Sequence, residues 1–217
     1  MKLNNMKYGL VISSYKYGHL AAHCIESVLC QTRKFDKVWF VDDGAGDCKY
    51  LSELYHDRGI DFILREENMG IVKNFNDMLM KKVNTDYVMF LGADNWLRPD
   101  ALELLSYQMD KTPPDIITYD IIITGELREE IQKFYASWTH RHEGDYYWSR
   151  RMQHHGSMLY KVKLAKQVGG YAKNNTSERT DEDLNLWDKM NKEGAIVKHL
   201  AQGLLYYRRH KENFNKY

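Results

Sequence analysis

The chain has 217 residues, which suits one large domain or two fused halves. Its 31 basic and 30 acidic side chains leave a formal charge of +1, so global electrostatics favour neither nucleic acid nor an anionic membrane surface as partner. Three cysteines without metal-ligand spacing argue against a disulfide scaffold and for a reducing compartment. No signal peptide and no apolar run long enough to span a bilayer is present, so the expectation is a cytoplasmic domain, open to peripheral recruitment at a membrane by another component.

Residues 8–12 form a short apolar strand that ends in Ser13-Ser14-Tyr15-Lys16-Tyr17-Gly18. Leu20, Cys24, Ile25, Val28 and Leu29 then fall on one helical face. A second strand over 37–41 ends in Asp42-Asp43-Gly44. A helical stretch with Tyr50, Leu51, Leu54 and Tyr55 leads to a third strand over 61–64. Asn68-Met69-Gly70 precedes an amphipathic segment carrying Ile71, Phe75, Met78 and Leu79. Residues 87–91 are an unbroken apolar run, the pattern of a strand buried on both faces, and Asp94 follows just past its end. Pro99 and Asp100 open a further helix with Ala101, Leu102, Leu104 and Leu105. This alternation predicts an α/β fold, doubly wound around a mostly parallel sheet.

The second half is less regular. Pro113-Pro114 precede a strand over 115–123, and residues 125–151, polar, aromatic and weakly periodic, predict a mobile connection or an acceptor-facing loop. A strand over 157–160 and a helix over 162–168 end at Gly169-Gly170. Asp181-Glu182-Asp183 open a helix bearing Leu184, Trp187 and Met190, and late strands fall at 196–197 and 204–207.

Polar groups thus follow three strands on one side of the sheet, where α/β folds bind ligands. Tyr15 can stack on a base, or pack as a surface tyrosine. Asp42 and Asp43 can accept from a pyrimidine N–H, or form an Asx turn with Gly44. Asp94 can hold a hard cation against a phosphorylated ligand, or belong to a polar turn with Asn95.

Ile12-Ser13-Ser14-Tyr15-Lys16, then Cys24-Ile25-Glu26-Ser27-Val28-Leu29-Cys30-Gln31-Thr32 and Val41-Asp42-Asp43-Gly44, resembles the start of glycosyltransferase family 2, the inverting enzymes of the GT-A fold. Asn68-Met69-Gly70 with Asn76, the segment from Phe90 to Pro99, Gly169-Gly170-Tyr171, Glu182-Asp183 with Leu186-Trp187, Gly194 and Tyr207-Arg208-Arg209-His210 continue the likeness in order over roughly 6–212. The resemblance implies a single GT-A domain over 1–217, with a nucleotide-sugar-binding half at 1–110 and an acceptor-binding half at 111–217. It implies that Ser13, Tyr15 and Asp43 hold the nucleobase with Asp42 beside it, and that Lys73, Ala93 and Asp94 lie along the nucleotide. Asp94 and His210 become ligands of a divalent cation, Mn2+ or Mg2+. Asp183, with Glu182 beside it, becomes the base that deprotonates an acceptor hydroxyl. The implied activity is transfer of a sugar from a nucleotide diphosphate sugar, UDP by preference, to a saccharide or other hydroxyl acceptor.

The family's first metal-motif acid is replaced by Gly92, and Asn95 stands where a second Asp is common. Mg2+ is commonly held by one or two carboxylates plus phosphates and water, so Asp94 alone is compatible with activity. The alternative is a non-catalytic nucleotide-sugar-binding or scaffold domain. Positive charge from Lys73, Arg208, Arg209 or His210 would assist a departing diphosphate, a unit charge pair at 4 Å being worth about 4 kcal/mol at an effective dielectric of about 20. His140, His142, His154 and His155 have irregular spacings for a metal cluster, and Trp138, Tyr146, Tyr147 and Trp148 suit either a sugar-stacking wall or a packed flap. The loop after the first strand is neither a basic Gly-rich phosphate loop nor G-x-G-x-x-G, which argues against a nucleotidyltransferase or a nicotinamide-dependent dehydrogenase.

Overall fold

The computed structural model describes residues 6–109, 113–129, 139–142, 145–148, 158–173 and 182–213. Strands β1 (Tyr8–Ser14), β2 (Lys37–Asp42), β3 (Ile60–Leu64) and β4 (Tyr87–Gly92) lie side by side in the order β3-β2-β1-β4, all parallel. Helices α1 (Gly18–Leu29), α2 (Lys49–Leu54) and α3 (Ile71–Asp77, continued by a π-helical turn over Met78–Lys82) make the crossovers. After β4 come the two-residue strand β5 (Trp96–Leu97) and α4 (Ala101–Tyr107). The sheet continues through β9 (Met158–Lys161), antiparallel to β4, then β6 (Ile116–Thr124), β10 (Val197–Arg208) and β5. Helices α5 (Val162–Gln167) and α6 (Glu182–Lys192) complete the order.

The period of two along each central strand divides its side chains between two cores. Leu10 and Ile12 of β1 and Met89 and Leu91 of β4 face Ala21, Cys24, Ile25 and Val28 of α1 and Leu102 and Leu105 of α4. Val11, Val88 and Phe90 point the other way, onto Met78, Leu79, Ala165, Leu186, Trp187 and Met190. An unbroken apolar run is therefore what β4 requires, with helices on both sides. The fold observed is α/β around a mixed sheet whose parallel block is β3-β2-β1-β4, the later strands adding antiparallel pairings.

Two predictions from the second half change. Where the sequence predicts an irregular connection over 125–151, the backbone forms a hairpin of β7 (Thr139–His142) and β8 (Asp145–Trp148), and β8 pairs with β6. Thr, Tyr and Trp suit a pleated surface, and that tendency outweighs the polar flanks. The two late strands are one, β10, whose register against β6 shifts between Leu200 and Leu205 around Gly203, as a bulge does. That irregularity interrupts the alternation on which the sequence reading depends. The side chains of Trp138, His140, His142, Tyr146, Tyr147, Trp148, His154 and His155 lie outside the described set.

Candidate active site

The end of β2 is built around Asp42. Its Oδ1 accepts the Ala45 N–H at 3.0 Å and its Oδ2 the Gly46 N–H at 2.9 Å, so this buried carboxylate organises the turn that presents Asp43. Gly44 within the turn has φ +81°, and a Cβ there would run into the backbone of Glu67 and Asn68, so only glycine fits. Asp43 Oδ1 accepts the Met69 N–H at 3.1 Å and lies 3.7 Å from Arg65 Nε. Burial raises its pKa above the usual carboxylate value, opposed by the Met69 amide and the Arg65 guanidinium.

Arg65 Nε donates to Asn74 Oδ1 at 3.0 Å, and Asn74 Nδ2 donates to Ser13 Oγ at 3.1 Å. The ends of β1, β2 and β3 are thereby joined to α3 in one polar network. Tyr15, 41% exposed, extends past it with Lys16 Nζ 5.1 Å from its ring centroid. Lys73 lies exposed on α3 and forms no ion pair among the described residues.

Ala93 is fully buried and its N–H donates to the Ser13 carbonyl at 2.9 Å, which sets the loop after β4 against the loop after β1. Asp94 follows. Its Oδ1 accepts the Asn95 side-chain amide at 2.9 Å, while Oδ2 accepts that of Asn213 at 3.1 Å and lies 3.3 Å from His210 Nε2. Both asparagines are anchored on one residue. Asn95 Oδ1 accepts the Arg208 N–H at 2.9 Å, and Asn213 Nδ2 also donates to the Arg208 carbonyl at 3.1 Å. Asn213 Oδ1 accepts the His210 N–H at 2.7 Å, which fixes the imidazole's approach. On its other side His210 meets Tyr17 edge-on at 5.5 Å.

A carboxylate oxygen and an imidazole nitrogen so placed, about one-tenth exposed, are donors that suit Mn2+, with positions left for phosphate oxygens and water. The other cluster of potential ligands among the described residues, Asp42, Asp47 and Cys48, is already internally bonded. Asp47 Oδ2 accepts the Gly18 N–H at 2.8 Å, and the Cys48 thiol donates to Asp47 Oδ1 at 3.3 Å. Burial pushes the Cys48 pKa up to about 12, so the thiolate a metal needs is suppressed.

Gly92 acquires a steric explanation. A Cβ there would lie 2.7 Å from Asp94 Oδ1 and 3.0 Å from Asn95 Nδ2. The space a first acid would occupy is filled by the second acid and its amide partner.

Glu182 and Asp183 occupy the first turn of α6, where a carboxylate suits the helix dipole. Asp183 Oδ1 accepts the Leu184 N–H at 2.8 Å. Both acids act on the Tyr171 phenol, whose pKa is raised first by burial, then by Tyr160 and by these carboxylates. Tyr171 packs edge-on against Phe90 of β4 at 5.4 Å, its hydroxyl lies 2.7 Å from that of Tyr160, and its backbone exchanges two 2.8 Å bonds with the Asn76 amide. The acidic pair thus lies within electrostatic reach of a tyrosine packed on the strand that leads into Asp94. Ser13 is bonded to Ala93, the neighbour of Asp94, and Asp94 meets His210, while Asp43 joins this series through Arg65 and Asn74. Asn213, Asn95, Asn74 and Arg65 are the participants sequence reasoning misses; the one available signal is an asparagine three positions after His210, the spacing of a side-chain-closed turn.

The model for glycosyl transferase family 2 matches residues 10–169. An uncharacterized glycosyltransferase of Haemophilus influenzae is 25% identical over 94% of the chain and 76% of that protein. Glycosyltransferase GlyA of Streptococcus pneumoniae is 27% identical over 51% of the chain, which corresponds to 16% of GlyA. Among solved structures, residues 1–349 of S. aureus TarS in complex with UDP-GlcNAc align with TM-score 0.73 and 16% identity, over 96% of this chain and 60% of that one. The mannosyltransferase PcManGT from Pyrobaculum calidifontis, in complex with GDP-Man and Mn2+, aligns with TM-score 0.67 and 15% identity, over 96% of this chain and 59% of that one. At these identities the structural likeness is one of fold, and the chain spans about three fifths of both structures.

Proposed function

The chain belongs to glycosyltransferase family 2, and from that premise we propose that it transfers a sugar from a nucleotide diphosphate sugar, UDP by preference, to a hydroxyl of a saccharide or other acceptor, with inversion at the anomeric carbon. The observation that carries this reading is the convergence of His210 Nε2 and two asparagine amides on the Asp94 carboxylate at the end of β4. That is where α/β sheets bind their ligands.

In this reading residues 1–110 grip the donor and 111–217 face the acceptor. The exposed Tyr15 ring stacks on the base, Asp43 accepts from its N–H, and Ser13 contributes its hydroxyl. Asp42 holds the turn beneath them, and Ala93 keeps the backbone close to the nucleotide. Asp94 and His210 would hold a divalent cation, Mn2+ or Mg2+, which when bound neutralises charge growing on the departing diphosphate. Lys73 adds positive charge from α3. Asp183, beside Glu182, takes the acceptor proton as the hydroxyl attacks opposite the leaving group, a contribution of about 10²- to 10⁴-fold.

The rival reading, a donor-binding domain without turnover, draws on Gly92. Titration of UDP with and without Mn2+, followed by assay of sugar transfer and slow donor hydrolysis, separates the two. Mn2+-dependent UDP binding that Asp94→Asn abolishes, together with turnover, is expected. Binding without either reaction would favour the rival, and metal-independent binding would remove Asp94 from the role of cation ligand.

A further inference from the structure

A cleft of about 580 Å³ opens beside the Asp94–His210 pair, with His210 as a wall common to both. Its other walls are the first turn of α1, Trp96, residues 124–126 and residues 208–212. Neither Ser13, Tyr15, Asp43 nor Lys73 borders it, so it lies apart from the groups assigned to the nucleoside. Its size is that of a small-molecule site.

The charge that distinguishes it is Arg208. The guanidinium carbon lies 4.8 Å from the Trp96 ring centroid, and Nη2 lies 3.1 Å from His23 Nδ1. Trp96 in turn stacks on His23 at 4.4 Å and on Tyr206 at 5.2 Å, so rings rather than acids surround the cation. Burial, and then Arg208 itself, lower the His23 pKa, which leaves that imidazole neutral at neutral pH and an acceptor for the guanidinium. Arg208 Nε is buried without a hydrogen-bond partner, and no carboxylate among the described residues forms an ion pair with this side chain. Lys211 and Arg209 border the same cleft. Of its two acids, Glu212 already faces His19 at 3.4 Å. A partly buried guanidinium held by an aromatic ladder and matched by no acid is a receptor for an oxyanion, whose paired oxygens fit its fork of N–H donors.

We propose that this cleft receives the acceptor substrate through an anionic group, a phosphate or a carboxylate, gripped by Arg208 beside the transfer centre. The inference rests on the donor reading above, which gives the diphosphate to Asp94, His210 and Lys73. Arg208, one of the cations the sequence offers to that diphosphate, is instead turned by the Trp96 and His23 rings into the cleft and toward a second anion. A neutral sugar would leave the guanidinium unmatched.

The test is calorimetric titration of the full chain with glycerol 3-phosphate and with glucuronate, against glycerol and glucose as neutral controls, both with saturating UDP and Mn2+ and without them. Binding of one charged probe to the UDP-loaded protein is expected, about tenfold or more weaker in Arg208→Gln, with UDP affinity unchanged. Whichever probe binds identifies the oxyanion. Arg208→Lys keeps the charge without the fork; it is expected to fall between the two and decides the matter if Arg208→Gln fails to fold. Displacement of UDP by the charged probe, an equal loss of UDP affinity in the variant, or indifference between charged and neutral probes would overturn the proposal. If UDP fails to bind wild-type protein the donor reading falls, while the titration without UDP still decides the cleft: Arg208-dependent binding supports it, and no binding overturns it.

Discussion

Asn213 donates its side-chain amide to Asp94 across 119 positions of sequence, Nδ2 lying 3.1 Å from Oδ2. Asn95 does the same to Oδ1 at 2.9 Å, and both amides lead back to the peptide groups of Arg208. A lone carboxylate is free to rotate; one held at each oxygen by an amide donor keeps its orientation. In the proposed site this would let Asp94 serve alone, with Gly92 and Asn95 supplying no second acid.

Asn213→Ala is expected to weaken Mn2+ binding about 10- to 100-fold in the presence of UDP, measured by electron paramagnetic resonance. The stability loss in urea should be about 1–3 kcal/mol, since buried polar atoms of Asp94 and Arg208 lose a partner. Asn95→Asp brings the residue nearer the family pattern yet removes the donor to Oδ1, and the same measurement should show weaker binding. Tighter binding in that variant would show that the amide has no orienting role.

Gly92→Ala should act through Asp94 rather than through the strand. Its Cβ falls 2.7 Å from a short, buried, hydrogen-bonded side chain that has to rotate away, an overpacking cost of about 1–3 kcal/mol. Mn2+-dependent UDP affinity is expected to fall while metal-independent nucleotide binding persists. Equal loss of both would mark a general disruption of β4.

Asp183→Asn is expected to bind donor and cation as wild type does and to lose about 100-fold or more in transfer rate. The readout is turnover against UDP affinity in the same preparation. Near-normal turnover would return Asp183 to a helix-terminal role.

Asp43 supplies a pH dependence. Burial sets its folded-state pKa above the ordinary carboxylate value, so the folded chain binds this proton more tightly than the unfolded one. Its contribution to stability is therefore present below the unfolded value and lost as pH rises through the raised folded one. Base recognition runs the other way, because the protonated acid is a poorer acceptor. UDP affinity should decline as pH falls through the raised Asp43 value, and Asp43→Asn should be weak and flat across the same range.

Cysteine reactivity gives a check on the packing. Cys24 and Cys48 are buried with raised pKa values, chiefly through burial, while Cys30 is exposed. Iodoacetamide followed by mass mapping should label Cys30 in the native protein and all three after denaturation.

Strands β1, β2 and β4 are legible because both faces are covered, so their apolar runs are unbroken, while the edge strand β3, with Asp61 and Leu64 exposed, is read from its place in the alternation. β5 is not legible, since two residues carry no period and its existence depends on Leu205 and Tyr206 of β10 pairing with Leu97 and Trp96. Asp94 stands out by its position after an apolar strand, and His210 through the family resemblance alone. Asn95 and Asn213 do not, because an amide within a polar stretch looks alike whether it caps a turn or orients a ligand. Only the return of 208–213 onto β4 distinguishes them. Arg208 is visible as a basic residue, but the aromatic ladder that isolates it from acids is assembled from α1, β5 and β10.

The span between Asp94 and its partners also orders events during synthesis. A chain leaving the ribosome exposes β1 to β4 long before β10 exists, with the face toward α1 and α4 the first to gain cover and the face of Val11, Val88 and Phe90 waiting for Ala165 and α6. Through that interval the carboxylate at the end of β4 has neither Asn213 nor His210. In the proposed reading, competence to capture a cation is thus deferred until translation has passed the last of them.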